Sequence, residues 1–486
     1  MKKLKLGLIS LIVLSLLLSA CTKETSTVVK EELIKDEPPH EITMFYPSAD
    51  GVGLDEMLEE LNEITKDKIN TIVKLKIAPN WYKWESQSNQ AIVDGEDIDL
   101  ILTTSSQLQD RVVKDFLLPL DNLIETKGEA ILDVIGSDIL KATTINGEIF
   151  AVPTVTGWAN PTGFYVNKTL LDKYHIDFTK IKTINDFEDV LKKIKASEPN
   201  TWLLSDISAE IFMTDYLYDP LGDSIGVLPI DAKDLTVVNL FETAAYKESL
   251  LRIHEWYNAG YFHFVEEKSQ LYKQRAFATE TILEPWLINI YSSWDMDTRV
   301  AIEITPPILT VDSFEMNYSI LKTSKNPEKA MEFLNLLYTD KDIINLLAWG
   351  VEGLDYEKID ENTVRTPDVA DSSDLRFQHE WGLYFGNQFL RYTSELLPST
   401  LNEQKADFNE RALRSKAFGF RFNPESVQEE VKLLSSMIIR HRNRLESGTL
   451  DPEIYLPDFI ERLKKAGIDK VIAEKQRQLD EWAALQ

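Results

Sequence analysis

The sequence predicts an α/β protein of two lobes with a mainly helical C-terminal extension. Strand-like and helix-like segments alternate over residues 41–102, an order that implies an open sheet. A hairpin signal at Asn146-Gly147 is then followed by a stretch holding Pro153, Gly157, Trp158, Pro161 and Gly163, which reads as a passage to a second lobe. From Val427 onward the apolar residues recur at helical spacing. A length of 486 residues agrees with two or three domains.

The elements follow in order. Glu41–Tyr46 is the first strand and leads into the loop 47–51. Leu54, Met57, Leu58, Leu61 and Ile64 lie on one face of a helix over 54–66. Ile69–Ile77 alternates as a strand, Trp81–Val93 reads as a helix, and Ile98–Leu102 is a short apolar strand. Residues 151–166 are expected to cross to the second lobe. There Thr183 caps a helix with Phe187, Val190, Leu191 and Ile194 on its inner face. Another helix runs from Tyr246 to Asn258 and stops at Ala259-Gly260. Segment 276–290 is expected back in the first lobe, with Val300–Pro307 leading to the second crossing. Asn326-Pro327 opens a further helix, Asp340 caps the next, and 427–444, 459–463 and 471–482 complete the helical tail. The expected division is a leader (1–20), a tether (21–40), an N-terminal lobe (41–152 plus 276–307) and a C-terminal lobe (153–275 plus 308–486) that includes the extension.

Lys2, Lys3 and Lys5 precede an apolar run, Leu6–Leu18, that closes on Leu18-Ser19-Ala20-Cys21. The run is shorter than the ~20 residues that span a bilayer, and reads as a secretory signal. Residues 22–40 are rich in Thr, Ser, Lys, Glu and Pro and lack hydrophobic periodicity, as a flexible tether does. Cys21 is the single cysteine, so no disulfide and no thiolate metal site is expected beyond it. A formal net charge of −28 argues against nucleic acid and against an electrostatic grip on anionic lipid.

Several segments, taken together, resemble the extracellular solute-binding lipoproteins of bacterial ABC importers, in the maltose-binding-like branch. They are Gly95-Glu96-Asp97-Ile98-Asp99-Leu100, Leu118-Pro119-Leu120-Asp121, Ile145–Pro153, Phe164–Leu171 and Ser324–Leu334. The tail, through Trp349-Gly350-Val351-Glu352-Gly353, Ala417–Phe420, Gly448–Pro452 and Ala466–Lys470, resembles a Gram-positive subgroup with an extra C-terminal region. The resemblance implies a two-lobed fold of the periplasmic-binding-protein type II class, closing by a hinge around a ligand. It further implies lipidation of Cys21, an extracellular membrane-anchored location, permease subunits as partners and a monomer. No cofactor and no metal-ligating residue is expected, and whether a metal ion stabilises the fold is left open by the sequence.

Catalytic motifs are wanting. No Gly-x-Ser-x-Gly elbow and no His-Glu-x-x-His occurs, and the 6 histidines are scattered. Gly51-Val52-Gly53 lacks the rest of a phosphate loop, and Asp295-Met296-Asp297 lacks the rest of a calcium loop. Acidic pairs such as Asp97 and Asp99 are expected by chance among 80 carboxylates. The 10 tryptophans point instead to sugar, whose C–H faces stack on flat rings while carboxylates, amides and hydroxyls take its hydroxyls. Trp158, Trp286 and Trp349 fall at element ends or in loops and are the candidate platforms. Trp81 and Trp84, at helical spacing, read as core or cleft edge, and Trp381 and Trp482 as packing. Ligands of open α/β sheets bind beyond the carboxyl ends of the strands. The loops after the first and third strands therefore offer Tyr46, Ser48, Asp50, Thr104 and Ser105, and Asp206 follows Trp202 in a further candidate loop. The expected function is capture of a carbohydrate, an oligosaccharide, for an importer. The alternative is a cell-surface carbohydrate-active enzyme or sensor on the same scaffold.

Overall fold

Alternating apolar residues at 42, 44 and 46 make 40–47 a strand, and the computed structural model, which describes residues 37–47, 53–78, 81–205, 217–262, 276–288, 298–367 and 384–485, places it inside a five-stranded sheet. This strand, β1 (His40–Pro47), is followed by α1 (Leu54–Ile69), β2 (Thr71–Ala78), α2 (Trp81–Val93) and β3 (Leu100–Thr104). Asn70, in the left-handed region, ends α1, so the second strand begins two residues later than its apolar run suggests. β2 and β3 both pair in parallel with β1, with Met44 opposite Leu75 and Leu100. Thr104 accepts the Gln107 amide in a capping box that starts α3 (Ser105–Val113). The short helices α4 (Asp121–Lys127) and α5 (Glu129–Ile135) precede the Asn146-Gly147 turn, whose two residues have φ of 53° and 87° and join a small hairpin, Thr144–Ile145 with Glu148–Ile149. β4 (Val152–Pro153) then lies at the sheet edge.

The second sheet centres on β5 (Thr162–Asn167). α6 (Ile184–Ser197), capped by Thr183 as expected, buries Phe187, Val190, Leu191 and Ile194, with Phe187 stacked 3.8 Å from Phe164. α7 (Ala244–Asn258) follows. β6 (Ala278–Ile282) and β7 (Arg299–Thr305) flank β5, both antiparallel to it. Gly163 lets β7 approach, because a Cβ there would lie 2.0 Å from the Ile302 carbonyl oxygen. β8 (Ile308–Leu309) leads to β9 (Met316–Ile320), which enters the first sheet between β3 and β4, antiparallel to both. α8 (Pro327–Thr339) and α9 (Lys341–Trp349) pack against α1, α4 and α5. α10 (Leu401–Glu410) and β10 (Leu413–Arg414) precede the tail helices α11 (Gln428–Glu446), α12 (Pro452–Lys465) and α13 (Ile468–Ala483).

The expected division of the chain is corrected in two places. Segments 276–282 and 299–305 belong to the second sheet, not the first, and 316–349 belongs to the first lobe, not the second. Apolar alternation identifies a strand but not its neighbour, and here the partner is set by Phe164 and Val166 of β5 packing with Ala278 and Ile302. The tail helices form a third core with α7, around Phe241, Tyr246, Leu434, Phe459 and Val471. Among the described residues no helix is long and apolar enough to cross a membrane.

Candidate functional site

The chain passes between the sheets twice, over 154–161 and 306–315, and both passages are held by the segment 405–421. Asn409 uses its whole amide on the first: Oδ1 accepts the Trp158 and Ala159 N–H groups at 2.8 and 3.2 Å, and Nδ2 donates to the Thr156 carbonyl at 2.7 Å. The second is gripped by β10, which pairs in parallel with β8; just before it, at the end of β7, the Arg411 guanidinium forks onto Glu303 at 2.6 and 2.7 Å. Arg421 reaches the first lobe, donating to the Ser105 carbonyl and Oγ at 3.1 Å and to the Ala142 carbonyl at 2.6 Å.

These passages frame a cavity of about 750 Å³ between the lobes. Its aromatic walls are Trp158, Trp286 and Tyr384, all half-buried, and the buried Phe314. Trp158 is fixed by its indole N–H on the Thr154 carbonyl at 2.7 Å and by Phe314, 5.1 Å away and tilted. The Trp286 indole N–H donates to the Glu284 carboxylate. Asp223, Glu284, Asp312 and Glu315 supply carboxylates, and Lys405 and Arg442 the cations. Burial lowers the Lys405 pKa, and Glu284 pulls it back up. Arg442, on α11, is held by Glu446 at 2.7 Å.

The rim loop 219–224 carries two non-glycine residues in the left-handed region, Leu221 and Ser224, at φ of 50° and 58°. Two carboxylates pin it, Asp219 accepting the Leu221 amide and Asp223 the Ile225 amide, each at 2.9 Å. Asp219 is buried, and the loss of water pushes its carboxyl up to about 6. Lys475, a fully buried lysine on α13, donates to the Asp223 carboxylate and, at 2.9 Å, to the Gly226 carbonyl. Burial also raises the Asp312 carboxyl, while Arg421 and Lys475 lower it.

A second cavity, of about 420 Å³, adjoins the first: Asp312 and Glu315 line both. Its other walls are Trp84 and Glu85 of α2 and the start of α3 with the capping Thr104.

The structure thus brings Trp158 and Trp286 together in the main cavity, and Thr104 and Ser105 in the second. Ser105 is itself buried, its hydroxyl donating to the Val311 carbonyl at 3.3 Å. Two expectations are corrected. Tyr46 lines neither cavity; it is 2 % exposed and stacks on Phe385 at 4.2 Å, because the end of β1, residues 44–47, is buried on both faces. Trp349 lines neither; it closes a satellite core with Tyr356, Val364 and Tyr392, and its indole N–H donates to the Tyr392 carbonyl at 3.2 Å. Ser48, Asp50, Asp206 and Cys21 lie outside the described residues. Sequence reasoning missed Asn409, Lys405, Arg442, Asp223, Asp312 and Glu315, polar residues that carry no motif.

A family model described as a bacterial extracellular solute-binding protein matches residues 56–350, and one described as a domain of unknown function, DUF3502, matches 416–484. The chain is 28 % identical to a carbohydrate ABC transporter substrate-binding protein of Streptococcus pneumoniae, over 99 % of this chain and 98 % of that one. Among solved structures it is similar to the N-glycan transport solute-binding protein of Streptococcus pneumoniae, with 27 % identity, a TM-score of 0.77, and coverage of 91 % of this chain and 98 % of the other. Complexes of that protein with Man1GlcNAc and Man5GlcNAc superpose with TM-scores of 0.66 and 0.64, covering 91 % and 92 % of this chain and 99 % of theirs.

Proposed function

The chain belongs to the bacterial extracellular solute-binding protein family, and from that premise we propose that it captures a carbohydrate between its lobes and delivers it to an ABC importer. One observation carries the reading: two indole rings and four carboxylates converge on a single interlobe cavity large enough for an oligosaccharide. Rings stack on the C–H faces of a sugar while carboxylates accept from its hydroxyls. Trp158, Trp286 and Thr104 are the proposed contacts from the described candidates, with Ser105 behind Thr104. Ser48, Asp50 and Asp206 complete the set on the strength of sequence. The two lobes close on the ligand about the passages at 154–161 and 306–315. A diacylglyceryl group on Cys21 holds the protein at the outer face of the cell membrane, close to its permease, which raises the effective concentration of cargo there. The similar proteins are substrate-binding proteins rather than enzymes, and the reading requires no bond to be made or broken.

Isothermal calorimetry on the full chain with Man1GlcNAc, Man5GlcNAc and a maltooligosaccharide series tests this. Binding of at least one glycan is expected, with a rise in melting temperature, since a ligand at a hundred times its Kd adds about 2.7 kcal/mol. Stabilisation by peptides or amino acids with none by any glycan would sink the carbohydrate reading.

A further inference from the structure

The amide of Gln107 occupies an unusual position. Its Oε1 accepts the Thr104 backbone N–H at 3.2 Å, completing the capping box, and this contact fixes the side chain. The same contact leaves Nε2 without a hydrogen-bond partner among the described residues, although Gln107 is 8 % exposed. A buried amide donor left unpaired is unfavourable, and a ligand acceptor that reaches it relieves the cost. Gln107 lines the second cavity.

The rest of that cavity is suited to one kind of ligand. Thr104 and Ser106 bring hydroxyls 3.0 Å apart, able both to donate and to accept. Glu85, Asp312 and Glu315 bring carboxylates, of which Glu85 and Glu315 carry no ion pair among the described residues. Among the described residues no lysine or arginine lines the cavity. Such walls accept from hydroxyls and repel a carboxylate, phosphate or sulfate. Trp84, with the Arg111 guanidinium 5.9 Å from its ring, supplies an apolar wall.

We propose that the second cavity is a separate sugar subsite, in which the Gln107 amide donates to a hydroxyl of an uncharged sugar ring whose glycan continues into the main cavity. The inference rests on the carbohydrate reading above and deepens it. Because Asp312 and Glu315 line both cavities, a chain of several rings passes from one to the other without leaving the cleft. Gln107 is then a length-reading residue: a short glycan held at Trp158 and Trp286 does not reach it.

The test is calorimetry on the full chain with Man1GlcNAc and Man5GlcNAc, comparing the unaltered protein with Gln107→Glu. The ionised glutamate keeps an acceptor for the Thr104 N–H but removes the donor; because it adds a carboxylate beside Glu85, Asp312 and Glu315, its melting temperature is recorded with each isotherm. Gln107→Glu is expected to weaken Man5GlcNAc at least tenfold and to change Man1GlcNAc less than twofold. Gln107→Ala, with its melting temperature recorded beside it, is expected to give the same split. Equal effects on both glycans, or none on either, overturn the subsite while leaving the carbohydrate reading standing. Failure of the unaltered chain to bind any glycan overturns both. A five-residue oligogalacturonate is expected not to bind, and its binding would overturn the requirement for an uncharged ring.

Discussion

At the scale of single residues, the two kinds of tryptophan should part under mutation. Trp158→Ala removes a platform from the main cavity and is expected to raise the Kd for the bound glycan by about tenfold or more, a loss of roughly 1.4 kcal/mol, with a small change in melting temperature. Trp349→Ala empties a buried core and is expected to cost about 3–5 kcal/mol on chemical denaturation, with affinity kept in whatever fraction stays folded. The two were indistinguishable in the sequence. Both sit beside a glycine, and Trp349 is buried by Tyr356 and Tyr392, residues that follow it in the chain. Asp219 gives a prediction in pH. Burial lifts its carboxyl from an ordinary 3.8 to about 6, so the folded state holds this proton more firmly than the unfolded chain does. The resulting contribution is fully present below about pH 4 and is lost as the pH rises through about 6. Asp219→Asn should therefore gain stability relative to the unaltered protein across that window, by up to about 3 kcal/mol. Urea titrations at pH 4, 5, 6 and 7 measure it; parallel curves for the two proteins would contradict the assignment.

Elements show where physical legibility begins and ends. In 40–104 the helix α1 was readable because it buries one face and β3 because its apolar run is buried on both, and the caps at Thr183 and Asp340 because a short polar side chain must meet the free amides of a helix start. The destination of β6, β7 and β9 was not readable, since strand partners are chosen by packing across long separations in sequence. Nor was the role of α10, a polar helix with little to mark it except Asn409. Asn409→Ala strips the passage 156–159 of three hydrogen bonds and is expected to cost about 1–3 kcal/mol and to weaken glycan binding by loosening Trp158. Asn409→Asp, which keeps the acceptor, should restore part of both, and a thermal melt beside a binding isotherm separates the two effects. In α13, Lys475→Met leaves Asp223 beside a buried apolar chain and is expected to destabilise by about 3–5 kcal/mol. Adding Asp223→Asn should recover a good part of that, because the uncompensated charge is gone; a double-mutant cycle by guanidinium denaturation reads the coupling.

For the whole molecule, the C-terminal region is a structural member of both lobes: its helices share a core with α7, while Arg421 is bonded to Ser105 and Ala142. Removing 416–486 would bare Phe241, Tyr246 and Leu250 as well as the arginine's partners. Such a truncated chain is expected to lose the cooperative melt of the second lobe and to aggregate, as circular dichroism and gel filtration would show. The position of β9 has a consequence of another kind. A polypeptide emerging amino end first presents β3 and β4 long before the strand that joins them, which spans 316–320. Until that strand arrives, both flanks of the gap are open edges, and neither can close the apolar layer beneath. Assembly of the amino-terminal lobe thus waits on more than half of the chain, and that of its neighbour waits on α13, almost at the end. A chain so arranged is expected to complete its amino-terminal sheet only after most of it has been made, and a fragment ending before residue 316 should fail to give a cooperative melt.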